Sequence, residues 1–159
     1  MIDLLAVLKA LLREGNLPLS SSYSAVLTGL RTLEGPGQEL MVDEKDFIDI
    51  LYGLLLPLAS NKNRDCFPTA MSCIDALFLR RREIVVDRVA AFIKRLLVIT
   101  CYLTPHQQLA LMATIRGLLH KYPKVQQLLD NDTDRVATGN YRPEVNNPDF
   151  CNPYASSCW

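Results

Sequence analysis

The sequence predicts an all-α protein, in which antiparallel helical hairpins form a HEAT/armadillo-like α-solenoid segment with an extended C-terminal tail. Apolar residues recur at helical spacing through most of the 159 residues, and no segment shows the period-two alternation that is typical of strands. The helical segments of about 12 to 18 residues are joined by short loops, which make neighbouring helices antiparallel. A compact helical bundle is the alternative, because the sequence contains no strict internal repeat.

The first two helices are delimited by glycine, serine and proline. A single apolar stripe predicts the first helix, and Gly15 is expected to end it in a left-handed conformation. The stripe consists of Leu4, Leu5, Leu8, Leu11 and Leu12. A serine at one of the positions 20–22 suits the N-cap of the second helix, which we expect to run to about Leu33. The break at Gly35-Pro36-Gly37 then separates it from the third helix.

The third and fourth helices are delimited in the same way. Asp43 is the predicted N-cap of the third helix, and Pro57 is expected to end or kink it. The segment Asn61-Lys62-Asn63 is predicted to be a loop. The fourth helix is expected to begin between residues 65 and 68, because proline fits the first turn, and to end at three arginines, residues 80–82.

The fifth helix is predicted from about Val86 to Leu103, and the sixth from Thr104-Pro105 to Tyr122-Pro123. The expected core stripe of the sixth helix is Leu109, Met112, Ile115, Leu118 and Leu119. A short seventh helix is expected over Lys124–Leu129. Beyond it the composition shifts to Asn, Asp, Pro and Ser. We therefore predict a helical-repeat domain over residues 1–129 and an extended tail over residues 130–159.

Composition narrows the class of protein. Hydrophobic residues make up 49% of the chain and charged residues 21%, which excludes a disordered protein. The longest apolar stretch, residues 50–59, is too short to span a bilayer, since spanning takes about 20 apolar residues. The five cysteines are odd in number and have no C-x-x-C spacing, so we expect a reducing compartment rather than disulfides or a zinc site.

The sequence lacks the motifs of catalysis. It has no Gly-rich phosphate loop, H-E-x-x-H or G-x-S-x-G motif. Its two histidines, His106 and His120, would lie about 21 Å apart along one helix, too far to share a site. The acidic cluster of residues 43–49 suits the first turns of a helix. Cys73 and Cys101 lie on apolar helices and are predicted to be core residues. We therefore predict no enzyme, no cofactor and no metal site.

Lys plus Arg and Asp plus Glu number 17 each, but the charges are segregated. Residues 34–49 carry a net charge of −5, and residues 80–95 a net charge of +4. The predicted partner- or RNA-binding basic patch is Arg80, Arg81, Arg82, Arg88, Lys94 and Arg95. Because Arg88 and Arg95 are seven residues apart, they share a helix face. The patch could contact phosphates or an acidic partner. The alternative is a helix C-terminus followed by a solvated face.

Several segments, taken in order, resemble the nucleolar complex protein 3 branch of the CCAAT-binding-factor (Mak21-related) family. They are Leu11–Gly15, Cys73–Leu77 leading into the three arginines, Ala91–Leu96, Leu118–Pro123, Leu128–Asp130, Tyr141–Glu144 and Asn147–Asn152. Pro153 departs from the pattern, since the family often has alanine there. Family proteins have a long N-terminal region and continue into further helices after this point. We therefore expect a fragment or an abbreviated version of a larger protein.

The resemblance implies a non-enzymatic assembly factor of the nucleolus or nucleus. Such proteins are helical-repeat scaffolds that help build the large ribosomal subunit. The implied partners are a nucleolar complex protein 2-like protein, other assembly factors and pre-ribosomal RNA. A chromatin-associated adaptor that acts with replication-licensing proteins is the alternative function. An unrelated helical adaptor or an enzyme fragment is a third interpretation, which the missing catalytic motifs disfavour.

Overall fold

A computed structural model of the chain describes residues 4–33, 41–80, 84–130 and 138–156, without the side chains of residues 41–43. The chain divides into two compact units, Met1–Arg81 and Arg82–Trp159. The all-α prediction is confirmed, since the described residues form α-helices with short 3₁₀ and π segments and contain no strand. The solenoid arrangement and the domain boundary after residue 129 stay predictions.

Unit 1 contains four α-helices arranged around the second of them. They are α1 (Leu4–Glu14), α2 (Leu19–Thr32), α3 (Met41–Leu55) and α4 (Phe67–Ile74). Two 3₁₀ segments, Leu56–Ala59 and Asn61–Cys66, connect α3 to α4, and a π-helical turn, Asp75–Leu79, continues α4. Helix α2 packs against α1, α3 and α4 and is therefore the centre of this unit.

The helix ends of unit 1 agree with the sequence in part. Gly15 has a φ of +69° and lies directly after α1, as predicted. Helix α3 ends two residues before Pro57, because the proline ring and its missing N–H are incompatible with a helix interior. Three predictions are wrong. Helix α2 begins at Leu19 with Pro18 as its N-cap, so the serines at positions 20–22 lie inside it. Helix α3 begins at Met41, ahead of Asp43, and residues 61–63 belong to a 3₁₀ segment rather than to a loop.

Two contacts fix the approach of α2 to α3. Gly29 faces the buried ring of Phe47, and a Cβ at this position would lie 2.5 Å from two atoms of that ring. The missing side chain therefore makes room for the ring. One side of α2 also carries Tyr23, which is fully buried and donates a hydrogen bond of 2.6 Å from its hydroxyl to the carbonyl oxygen of Leu54.

Unit 2 is built around α5 (Val86–Thr100), which packs against α6 (Pro105–Lys121) and two 3₁₀ segments, Pro123–Leu129 and Pro153–Ala155. Thr104 caps α6, and its backbone N–H donates to the Gln107 side chain at 3.2 Å, a capping-box contact that agrees with the predicted start. The seventh helix predicted over residues 124–129 is a 3₁₀ segment.

The buried face of helix α6 agrees with the predicted stripe at Ile115 and Leu118 but not in the N-terminal half of the helix. Its buried side chains are Leu111, Ile115 and Leu118, which follow one another at spacings of four and three residues. Leu109 and Met112 were expected in the core, but they are 72% and 48% exposed. The helix has more apolar residues than one face can hold, so periodicity alone does not choose between the two faces.

Residues 138–156, called the tail below, contain turns and one short 3₁₀ segment but no α-helix. The backbone N–H of Arg142 donates to the carbonyl of Cys151 at 2.9 Å, which closes the tail into a loop. Asn152 adopts a left-handed conformation with a φ of +52°. The tail lies on α5, so α5 is covered by α6, by the 3₁₀ segments and by the tail.

Candidate interaction surfaces

The predicted basic patch is distributed over both units. Arg80 lies at the end of unit 1, and Arg88, Lys94 and Arg95 lie on α5 in unit 2. Arg81 and Arg82 lie outside the described residues.

Arg80 follows the π-helical turn of unit 1 and is exposed. Its Nε atom donates a hydrogen bond of 2.9 Å to Oδ2 of Asp75, five residues earlier. Side chains on both partners are well exposed, so the pair is screened by solvent and contributes little to stability. Arg80 is thus accessible to a partner.

Arg88 binds Asp149 of the tail through two of its guanidinium nitrogens. Nε lies 2.6 Å from Oδ1, and Nη2 lies 2.9 Å from Oδ2. Such a bidentate pair is stronger and more directional than a single hydrogen bond. The side chains of Arg88 and Asp149 are 17% and 24% exposed, so solvent ions still reach the pair.

Lys94 is buried and contacts both ends of the tail. Its Nζ lies 4.2 Å from the centroid of the Tyr141 ring, a distance at which a cation is attracted to the negative face of an aromatic ring. The same atom donates to the carbonyl oxygen and the hydroxyl of Ser156, each at 2.5 Å. The amine therefore joins residues that are 15 positions apart in the tail.

Arg95 is the most buried charged side chain described, with 1% of its surface exposed. Its Nη2 donates to the backbone carbonyls of Pro143 and Val145 at 2.8 Å each. Its Nη1 donates to Oδ1 of Asn146 at 3.1 Å. The fixed fork of the guanidinium suits this arrangement, since it offers several donors in one plane to a turn of the chain.

Arg88, Lys94 and Arg95 therefore all contact the same segment. The sequence placed Arg88 and Arg95 on one helix face, and both of them bind the tail. It gave no sign that the tail would cover this face, because the paired residues are 48 to 62 positions apart. RNA or partner binding by the basic patch stays a prediction.

Exposed apolar side chains mark two helices. On α6, Leu109 and Met112 are three residues apart and form what is called the α6 face below. On α1, Leu4, Val7 and Leu11 are all more than two-fifths exposed and recur at helical spacing. Single exposed apolar residues are common, whereas neighbouring ones on one helix face are typical of contact surfaces.

The described cysteines are free thiols in different surroundings. Cys73 is buried, as predicted, and burial raises its pKa to about 12. Cys101 was also expected in the core but is exposed, because it lies just after the last turn of α5. Cys66 and Cys151 are buried. Burial, with a smaller contribution from Asp87, likewise raises the pKa of Tyr154 to about 12.

No helix in the described part of the chain combines the length and the apolar character needed to cross a membrane. The fold and its surfaces define an all-helical domain with exposed apolar helix faces and a tail held by cations. Residues 25–159 match the CBF/Mak21 family over most of the chain. The chain belongs to this family, as the sequence motifs indicated.

The curated relatives are similar along most of the chain. Nucleolar complex protein 3 homolog from Danio rerio is 34% identical over 158 residues, and its counterpart from Homo sapiens is 32% identical, each match covering 99% of this chain and 20% of the relative. Nucleolar complex-associated protein 3 from Saccharomyces cerevisiae is 26% identical over 143 residues, covering 74% of this chain and 21% of the relative. The chain thus spans about a fifth of the length of these relatives. Their names agree with the predicted nucleolar or nuclear localisation.

Proposed function

We propose that this chain acts as a non-enzymatic scaffold in the assembly of the large ribosomal subunit in the nucleolus. The observation that carries the proposal is the match of nearly the whole chain to proteins named as nucleolar complex proteins. The proposed partners are a nucleolar complex protein 2-like protein and other assembly factors. Catalytic groups are not required for this role, because it depends on surface complementarity.

The α6 face is the proposed contact surface for a protein partner. It lies inside the stretch that matches the family, whereas the exposed residues of α1 precede that stretch. A partner helix with an apolar stripe would cover Leu109 and Met112. Fully burying side chains of this size contributes about 1.5 to 3 kcal/mol each, enough for both to act as anchors of an interface.

Direct contact with pre-ribosomal RNA is the proposed role of the arginines at positions 80–82. Arg88 already binds Asp149, so its replacement would disturb the tail as well as any RNA contact. Arg81→Glu is the cleaner test variant. Phosphate contacts are strongly salt-dependent, so a lost contact should lower the dependence of RNA affinity on salt concentration by about one unit of slope.

The scaffold proposal is tested by affinity purification of the tagged protein from its own cells, followed by identification of bound proteins and RNA. We expect sedimentation with large-subunit precursors and loss of this sedimentation after RNase treatment. Leu109→Asp should release a protein partner, while Ala110→Asp, an exposed change about 100° around the same helix from Leu109, should not.

Two outcomes would overturn the proposal. Recovery of the protein without ribosomal precursors would refute the role in subunit assembly. Chromatin retention that survives RNase and follows the cell cycle would instead favour an adaptor in replication licensing. Equal partner recovery by Leu109→Asp and Ala110→Asp would refute the α6 face as the contact surface and leave the scaffold role standing.

A further inference from the structure

The tail is bound to α5 by contacts that differ from those of the rest of unit 2. Within residues 138–156, the buried residues are Pro148, Cys151 and Pro153, all of them small. The phenylalanine of this segment, Phe150, is 66% exposed. Tyr141 and Tyr154 are partly buried, and their hydroxyls are inaccessible to solvent. The apolar contribution of the tail therefore comes from small or partly buried side chains, and charged hydrogen bonds from α5 supply much of its remaining attachment.

The remaining part of unit 2 has an apolar core of its own. Ile115 and Leu118 of α6 are buried in it, together with Val125 and Leu128 of the following 3₁₀ segment, and both elements pack on α5. Proteins open locally where few apolar contacts hold a segment, at a lower free energy than global unfolding requires. The distribution of apolar residues thus separates the tail from the helices beneath it.

The charged contacts also give the tail a specific position. Arg95 recognises backbone carbonyls of Pro143 and Val145, which any sequence offers, and these contacts require only a particular path of the chain. The carboxylate of Asp149 pairs with Arg88, and this pair fixes the register of the peptide along that path. The charged side of α5 therefore has the chemistry of a recognition site for a peptide segment with a carboxylate.

We propose that α5 carries such a peptide-recognition site and that the tail occupies it as a releasable latch. The latch opens while α5, α6 and the 3₁₀ segment Pro123–Leu129 stay folded. Opening exposes Lys94 and Arg95, which are buried in the closed state. Salt favours opening, because the Debye length falls from about 10 Å at 0.1 M to about 3 Å at 1 M and the partly exposed pair of Arg88 and Asp149 is screened.

Acylation of lysine amines on the whole chain, quantified by mass spectrometry, measures the opening. Lys94 reacts only in the open state, whereas Lys124 is exposed and reports the reagent's own rate under each condition. We expect the Lys94 rate, divided by the Lys124 rate, to rise severalfold between 0.05 M and 1 M salt. Circular dichroism should show unchanged helix content over the same range.

Variants identify the contact that holds the latch. Asp149→Asn removes the carboxylate of a bidentate pair, so we expect a roughly tenfold rise in the normalised Lys94 rate at low salt, equivalent to about 1.4 kcal/mol. Asp75→Asn, which breaks the ion pair with Arg80 in unit 1, should leave this rate unchanged. The exchanged pair Arg88→Asp with Asp149→Arg should lower the rate again.

The latch would be refuted if Lys94 became reactive only under conditions that also abolish the helical signal. It would equally be refuted if Asp149→Asn itself lowered the helix content, since the tail would then be part of the core of unit 2. A Lys94 rate unaffected by both salt and Asp149→Asn would show that the ion pair does not hold the tail closed.

Discussion

The close approach of α2 and α3 at Gly29 can be tested with a pair of matched substitutions. In Gly29→Ala the new Cβ would lie 2.5 Å from Cε1 and Cζ of Phe47 and 3.0 Å from Cε2. Ordinary contacts between carbon atoms measure about 3.5 to 4.0 Å, so the ring or the helix must move by about 1 Å. Phe47 is fully buried and has little room to give way. Gly53→Ala in α3 is the control, because a Cβ there meets no atom within 4 Å.

The magnitude follows from two opposing effects. Replacement of glycine by alanine in a helix interior stabilises by about 0.8 to 1.0 kcal/mol, and this gain applies to both variants. Overpacking of a filled core costs about 1 to 3 kcal/mol and applies to Gly29→Ala alone. We therefore expect Gly53→Ala to be neutral or stabilising and Gly29→Ala to be less stable than it by about 1 to 3 kcal/mol.

Urea denaturation followed by circular dichroism measures the free energy of unfolding of each variant. The helix-propensity gain cancels in the difference between the two, which leaves the cost of the contact with Phe47. Adding Phe47→Leu should recover part of that cost in the Gly29→Ala background, as a double-mutant cycle would show. Equal stabilisation by the two glycine replacements would refute the close approach of the helices.

Other predictions concern the buried hydroxyl of Tyr23 and the thiols of Cys73 and Cys101. Tyr23→Phe removes the hydrogen bond to the carbonyl of Leu54 and should lower the free energy of unfolding by about 1 kcal/mol in urea titrations; an unchanged midpoint would contradict this bond. Iodoacetamide at pH 8 should alkylate exposed Cys101 well before buried Cys73, as peptide mass spectrometry would show, and equal rates would contradict the burial. Burial raises the pKa of Cys73 from 9.0 to about 12, so the stability contributed by its neutral thiol is intact below pH 9 and is lost as the pH rises toward 12. The melting temperature of the wild type should therefore fall relative to that of Cys73→Ala over this pH range.

The sequence was sufficient for most helix positions, because local chemistry determines where a helix begins and ends. Thr104-Pro105 and Tyr122-Pro123 delimit α6 as expected, and Gly15 follows α1. The apolar stripe of α6 was predicted less well. Leu109 and Leu111 are equally apolar, and only the position of α5 determines that Leu111 is buried and Leu109 exposed.

The cations of α5 show a second limit of prediction from the sequence. Periodicity correctly grouped Arg88 with Arg95, and a charged face is normally solvated. Their coverage depends on a segment 48 to 61 residues further along the chain, whose Asn- and Pro-rich composition gives no periodic signal of its own. Packing between distant segments determines that the tail lies over these cations, and local sequence patterns carry no information about such packing.

Because the tail follows α5 in the sequence, the ribosome makes α5 well before the segment that covers it. Lys94 is made 62 residues before Ser156, the residue that accepts its hydrogen bonds. At about 5 to 20 residues per second, translation leaves this lysine without that partner for roughly 3 to 12 seconds. During this interval the nascent chain displays the charged side of α5 to polyanions in its surroundings, the translating ribosome among them.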